Sequence, residues 1–210
     1  VSAILIFETS TDTASLALAV NGAIVLEKSF TSDRRHNALL FEPLSEIIRT
    51  HGSHHFDAVL VGSGPGSYSG TRVGIAAAQG TALVAGCGAI AIPSILATPT
   101  ALSGKNCLAV GDARRGSYWV AEIQDGQMTA PATLTDTVGF EAALKQGDPC
   151  FSMEPIRGHH ISTESPTARG LFIAWQNASE ETREAWISQP PQPIYLAPPH
   201  ITPSKKQVFG

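Results

Sequence analysis

Asn21-Gly22 lies between two β-prone runs and dictates how the chain must open. Asn-Gly favours a two-residue turn with positive φ at both positions, which sends the chain straight back on itself. Residues 13–20 (TASLALAV) alternate small or polar with apolar positions, and residues 23–30 (AIVLEKSF) return as the second arm. Residues 3–9 (AILIFET) precede them as a short apolar run of the buried-strand kind. A three-stranded meander is the expected opening.

Beyond the meander the hydrophobic period changes. Ser32-Asp33 is placed to cap a helix starting near Arg34 or Arg35, with Leu40, Leu44, Ile47 and Ile48 at helical spacing until Gly52. Residues 56–62 (FDAVLVG) read as a central strand, 70–85 as a proline-free helix and 89–92 as a strand. Pro93-Ser94 opens a last helix to about Leu102. The order βββαβαβα matches a ribonuclease-H-like layout better than a doubly wound sheet. Ser103-Gly104-Lys105-Asn106 marks a boundary, giving units 1–103 and 104–210. In the second unit, strands at 107–111 and 117–123 flank the turn Asp112-Ala113-Arg114-Arg115-Gly116, and Asp125-Gly126 is another hairpin signal. Helices are expected over 137–147 and 167–186. The last 21 residues hold six of the 14 prolines and read as extended, with a short strand at Pro193–Leu196.

Composition removes several function classes. With 43% hydrophobic and 15% charged residues, the chain is neither disordered nor a charged coiled coil. A net charge of −4 argues against gripping a nucleic-acid backbone unaided, so a partner would have to supply the basic surface. Cys87, Cys107 and Cys150 form no CxxC pair and read as reduced thiols. No membrane span and no signal peptide are expected, which makes a soluble cytoplasmic protein the default expectation.

The most pointed local feature is Gly62-Ser63-Gly64-Pro65-Gly66-Ser67-Tyr68-Ser69-Gly70-Thr71-Arg72, between a strand and a helix. It lacks the Lys-Ser/Thr of a P-loop, the third glycine of a dinucleotide fingerprint and the central serine of a nucleophile elbow. Three readings stay open: a tight turn with Ser67 or Ser69 capping the helix, a phosphate contact, or a partner-facing loop. The helix beyond it is covered mostly by small side chains, including Gly74, Ala77, Ala78 and Gly80. Glycine costs up to about 1 kcal/mol in a helix interior, so another backbone is expected to approach closely, from its own sheet or from another chain.

The seven histidines form no HExxH motif, and the adjacent pairs His54-His55 and His159-His160 make poor bidentate ligands. His36, beside Arg34 and Arg35, suits an exposed or interface position. Glu8-Thr9-Ser10 ends the first strand, and Asp112 ends the first strand of the second unit. Two carboxylates from two halves suit a metal–nucleotide; the alternative for Asp112 is to cap its own turn.

Taken together, these stretches resemble one family. Phe7-Glu8-Thr9-Ser10-Thr11, Arg35-His36-Asn37 with Leu40 and Pro43-Leu44, Gly64 through Gly74 with Ala78-Gln79-Gly80, Asp112 through Trp119, and Pro193-Ile194-Tyr195-Leu196 are similar to motifs of the bacterial TsaB (YeaZ) family. The similarity is dense over residues 3–123 and thin from 124 to 189. It implies an α/β actin/Hsp70/sugar-kinase-like fold of two ribonuclease-H-like subdomains, the second reduced. It implies a non-catalytic partner of the related protein TsaD in forming N6-threonylcarbamoyladenosine at position 37 of tRNAs that read codons beginning with A. The ATPase TsaE also joins, and tRNA is contacted mainly through the complex.

The family's partner contact is a helical bundle, here about 34–50 and 69–86. His36, Leu40, Leu44, Ile47, Arg72, Val73, Gly74, Ala77, Ala78, Gly80 and Thr81 are thereby implied to bind the partner, with a homodimer through the same helices as a corollary. The chain requires no cofactor or metal of its own on this reading, since the HxxxH motif of TsaD-like relatives is missing. ATP or ADP at Glu8, Thr9, Ser10, Gly64, Gly66, Ser67 and Asp112 stays open as an alternative. Glu8 stands where the family often has Asp, which shifts the carboxylate by about one methylene. The rival functions are a nucleotide-dependent phosphotransferase of the same fold and a metallopeptidase-like hydrolase.

Overall fold

The computed structural model describes residues 2–31, 36–52 and 56–196, with backbone only for 36–39. The Asn21-Gly22 turn forms with φ of 50° and 81°. It joins β2 (Thr13–Val20) to β3 (Ala23–Thr31), and β1 (Ala3–Glu8) pairs antiparallel with β2. β4 (Ala58–Gly62) and β5 (Gly88–Ile92) then add in parallel, giving the order β3-β2-β1-β4-β5. The central strands read as unbroken apolar runs because both faces are covered. Leu5, Phe7, Val59 and Val61 pack beneath α1 (His36–His51) and α2 (Tyr68–Ala85), against Leu40, Leu44, Ile47, Ile75 and Ala78. Ile6 and Leu60 point to the opposite face.

The second sheet repeats this plan in reduced form. β6 (Cys107–Arg114) takes the place of β1, with β7 (Ser117–Gln124) antiparallel on one side and β10 (Cys150–Ser152) parallel on the other. β8 (Gln127–Met128) and β9 (Thr133–Asp136) pair with β7, and β11 (Ser162–Thr163) pairs with β10. These four short strands have no sequence signature, being two to four residues long and largely polar. α4 (Thr137–Leu144) is capped by Asp136, whose carboxylate accepts from the Gly139 N–H at 2.9 Å.

The chain then returns to the first sheet. α5 (Ala168–Asn177) covers its second face with Ala168, Leu171 and Phe172, and α6 (Glu180–Ser188) completes the described helices. The single helix expected over 167–186 is divided, because Ala178 is extended and Ser179 accepts from the Thr182 N–H, starting a new helix. The expected helix after Pro93 is likewise divided, into a 3-10 turn (Ser94–Ala97) and α3 (Pro99–Leu102). The residue before a proline avoids the helical region, and Thr98 is extended. Pro193–Leu196 forms no strand. It crosses the first half as an extended strap whose Ile194 N–H donates to the Ser63 carbonyl at 2.8 Å.

The glycines of α2 and of the loop that leads into it divide into two kinds. Gly66, Gly70 and Gly74 recur every fourth residue and press on the turn after β1: a Cβ would overlap the Ser10 carbonyl, the Thr9 carbonyl and the Thr9 hydroxyl respectively. The close-approaching backbone inferred from the small-residue helix is here the chain's own. Gly80 is the exception, exposed and with nothing within 4 Å of where its Cβ would be. Gly80→Ala should therefore raise the stability of the isolated chain by up to about 1 kcal/mol, read from urea unfolding. A loss of stability would mean that Gly80 has an internal packing role.

Candidate functional site

β1 and β4 of the first sheet, and β6 and β10 of the second, end around one cleft of 540 Å³ between the halves. The turn Ser10–Thr13, the loop Pro65–Tyr68 with Thr71, the β6–β7 hairpin residues Asp112–Arg114 and Trp119, residues 152–155 and the strap 193–196 line it. Ligand crevices of open α/β sheets lie at the carboxyl ends of strands, and here two sheets contribute them.

Of the nucleotide-binding expectations, Ser10, Gly66, Ser67 and Asp112 are brought together in this cleft. Their local bonds come first, however. The Ser67 hydroxyl caps α2, accepting from the Gly70 N–H at 3.2 Å, and the Ser67 N–H donates to the Ser10 carbonyl at 2.6 Å. Asp112 accepts from the Arg114 N–H at 2.6 Å, so it does cap its own turn while facing the cleft. Thr9 is buried beneath, its hydroxyl donating to the Gly70 carbonyl at 2.8 Å. Gly64 has φ of 85° and its N–H donates to the Ser94 hydroxyl at 3.0 Å.

Glu8 is turned inward and does not line the cleft. It is fully buried; Oε1 accepts from the Ser10 N–H at 2.7 Å, and Oε2 makes no hydrogen bond. Oε2 occupies the space that a Cβ on Gly62 would need, beside the Ser94 hydroxyl. Burial raises the carboxyl above its ordinary value of 4.5, against the pull of the Ser10 and Ser94 hydroxyls and nearby N–H groups. A raised folded value means that the folded state holds the proton more tightly than the unfolded chain. The resulting stabilisation is complete below about pH 4.5 and is lost as pH rises through the folded value. Glu8→Gln should flatten this decline, which has a limiting slope of about 1.4 kcal/mol per pH unit. Urea titrations of both proteins from pH 5 to 8 check it; parallel curves would show Glu8 to be ionised at no cost.

Charge at the cleft mouth is internally balanced. Arg114 lies 3.4 Å from both Asp112 Oδ2 and Glu154 Oε2, and exposed pairs of this length contribute little stability. Arg114 and Arg115 have φ of 72° and 57°, a left-handed conformation costing about 1–2 kcal/mol per non-glycine residue. Trp119 fills the space over Gly111, where a Cβ would overlap the indole.

A second group joins Arg72, implied above to bind the partner, to two tyrosines not expected as site residues. Arg72 Nε donates to the Tyr195 hydroxyl at 2.7 Å, and its guanidinium lies 4.1 Å from the Tyr68 ring centre. Tyr68 and Tyr195 both line the cleft. Their sequence signal is their place in the loop and tail motifs, but nothing local indicates that residues 123 positions apart meet.

The residues expected to bind a partner separate by burial. Leu40, Leu44, Ile47, Gly74, Ala78 and Thr81 face inward into the first half, because α1 and α2 spend those faces on their own sheet. Val73 and Ala77 are half-buried, and Arg72 and Gly80 are exposed. The His36 side chain lies outside the described residues, as do Ser32 to Arg35, His54, His55 and His200. Exposed beside Gly80 are Leu83 (82%) and Val84 (60%), with Phe41 (52%) on α1.

Among the described residues, no group of three or more His, Cys, Asp or Glu could hold a metal ion. Burial pushes the thiols of Cys107 and Cys150 up to about 11, which makes both poor nucleophiles. No helix of the described residues is long and apolar enough to cross a membrane.

Two ribonuclease-H-like sheets meeting at a cleft, the second sheet reduced, place the molecule in the actin/sugar-kinase-like class. A family model described as TsaD, tRNA N6-adenosine threonylcarbamoyltransferase, matches residues 25–149. The chain belongs to this family. It is 33% identical over 127 residues to the tRNA threonylcarbamoyladenosine biosynthesis protein TsaB of Escherichia coli, covering 58% of this chain and 54% of that protein. It is 31% identical over 129 residues to the protein of the same name from Haemophilus influenzae, covering 57% and 53%. The chain thus spans about half the length of these curated relatives. The solved structure of YeaZ from Pseudomonas aeruginosa superposes with a TM-score of 0.67 at 23% identity, over 93% of this chain and 100% of that one, a likeness of fold.

Proposed function

We propose that the chain is a non-catalytic subunit in the formation of N6-threonylcarbamoyladenosine at position 37 of tRNAs that read codons beginning with A, and that it acts in the cytoplasm. The transfer chemistry belongs to a TsaD protein docked on its first two helices; TsaE joins the assembly, and tRNA is held mainly by the partners. The observation that carries this reading is the outer face of α2, where Gly80, Leu83 and Val84 leave an apolar, small-residue surface uncovered; Phe41 of α1 is exposed as well. Exposed apolar surface of this kind marks docking sites in soluble proteins. The names of the curated relatives agree with the pathway.

The decisive experiment is co-expression with TsaD and TsaE of the same cell, then assay of modified nucleoside in tRNA with and without this chain. Modification that proceeds equally well without it ends the proposal.

One observation favours a second reading, in which the cleft takes ATP or ADP. Ser10, Gly66 and Ser67 line its wall at the start of α2, where the helix dipole favours an anion, and Asp112 lines it from the second half. Calorimetry of the isolated chain with ATP and Mg²⁺ separates the two. Tight binding with turnover would make the chain a phosphotransferase, and binding without turnover would make nucleotide an accessory ligand of the subunit.

A further inference from the structure

The exposed stripe of α2 runs through Arg72, Ala76, Gly80, Leu83 and Val84, and Arg72 is the only charged residue of the whole helix. An exposed arginine ordinarily samples many rotamers, but this one is held. Nε donates to the Tyr195 hydroxyl at 2.7 Å, and the guanidinium lies 4.1 Å and 5.5 Å from the ring centres of Tyr68 and Tyr195. Tyr195 is delivered by the strap, whose Ile194 N–H is anchored on the Ser63 carbonyl. Among the described residues Arg72 makes no ion pair, and of its two tyrosine neighbours only Tyr195 takes a close hydrogen bond.

Covering an apolar stripe desolvates whatever lies on it, and a guanidinium buried without an anion is costly. A carboxylate is the side-chain group that accepts two parallel N–H donors from one guanidinium edge. A second copy laid stripe on stripe offers none, since α2 contains no acidic residue. We infer that the stripe is covered by a different protein that presents a carboxylate to the Nη edge of Arg72, and that Tyr195 is a positioning residue which pre-orients that edge. The inference rests on the reading of α2 as the docking face for TsaD. It adds the chemistry of the contact and a role for the strap: holding the guanidinium beforehand removes rotamer freedom that docking would otherwise have to remove.

The test measures the dissociation constant of the full chain with the TsaD protein of the same cell, for wild type, Arg72→Lys, Tyr195→Phe, their double variant and Leu83→Asp. Arg72→Lys keeps the charge but loses the fork, and is expected to weaken binding about tenfold. Tyr195→Phe removes one hydroxyl and is expected to weaken it about threefold. The double variant should be no weaker than Arg72→Lys alone, because Tyr195 acts only through Arg72. If Leu83→Asp abolishes binding while both single variants bind as wild type, docking on α2 stands and the carboxylate contact is overturned. Additive losses overturn the positioning role. Self-association as tight as the heterologous complex, with the same dependence on Arg72, overturns the choice of partner. If Leu83→Asp itself binds normally, the docking face and the inference fall together.

Discussion

Gly66→Ala is expected to destabilise the protein by about 3 kcal/mol, one of the two largest effects the structure predicts. The added methyl group has no room, because its position overlaps the Ser10 carbonyl oxygen and lies 3.1 Å from both the carbonyl carbon and Cβ of the same residue. Backbone on that side is held from several directions: the Ser67 N–H donates to that same carbonyl, and the Glu8 carboxylate accepts from the Ser10 N–H. Relief therefore requires the loop before α2 to move off the turn after β1, which breaks the Ser67–Ser10 bond and disturbs the start of the helix. Urea unfolding should show a lower midpoint with an unchanged slope. Gly88→Ala serves as control, since nothing lies within 4 Å of its Cβ position, and it should stay within about 0.5 kcal/mol of wild type. Equal stability of Gly66→Ala and the control would mean that the loop does not press on the turn after β1.

Placing aspartate at both Leu83 and Val84 should have the opposite profile. Both side chains are more than half exposed, so the isolated chain should lose no more than about 1 kcal/mol, part of it from negative charge near the carboxyl end of α2. Association with the proposed partner, TsaD, should weaken by about a hundredfold or more, because each carboxylate would be desolvated without a partner in place of apolar contact. Thermal unfolding of the isolated chain and co-purification together read this split. A variant that still co-purifies at wild-type yield would remove the α2 face from the proposed function. Gly74→Leu and Ala78→Leu do not make this test, since both positions face inward and the fold itself would respond.

Which elements are legible in the sequence depends on the range of the forces that set them. Asn21-Gly22, the unbroken apolar strands and the spacing of Leu40, Leu44 and Ile47 are local signals, and each element they imply is present. Helix ends set by competing caps are harder to read: Ser179 and Pro99 each divide what periodicity alone joins. Strands of two to four residues in the second half carry too few side chains to show alternation.

The site is legible in part for the same reason. Ser10, Gly66, Ser67 and Asp112 sit at strand ends, and strand ends of two similar sheets converge, so their gathering at one cleft can be anticipated from order alone. The direction of Glu8 cannot. Whether a residue at the end of β1 points to the cleft or into the protein depends on which neighbour leaves space, and Gly62 leaves it on the inside. The meeting of Tyr195 with Arg72 is likewise a matter of where the tail returns, over 123 positions of sequence.

By itself, then, the sequence determined the meander, the alternation of helices and strands after it, and the presence of one helix bearing glycines it could not use for its own stability. Only the tertiary structure decided which backbone those glycines admit. Gly70 and Gly74 admit the turn at Thr9, while Gly80 faces outward with nothing within 4 Å of its Cβ position. The physical reason is that a helix shows its period in the sequence but not its rotation about its own axis. That rotation is set by the sheet on which it packs, and it alone separates a buried glycine from one left exposed.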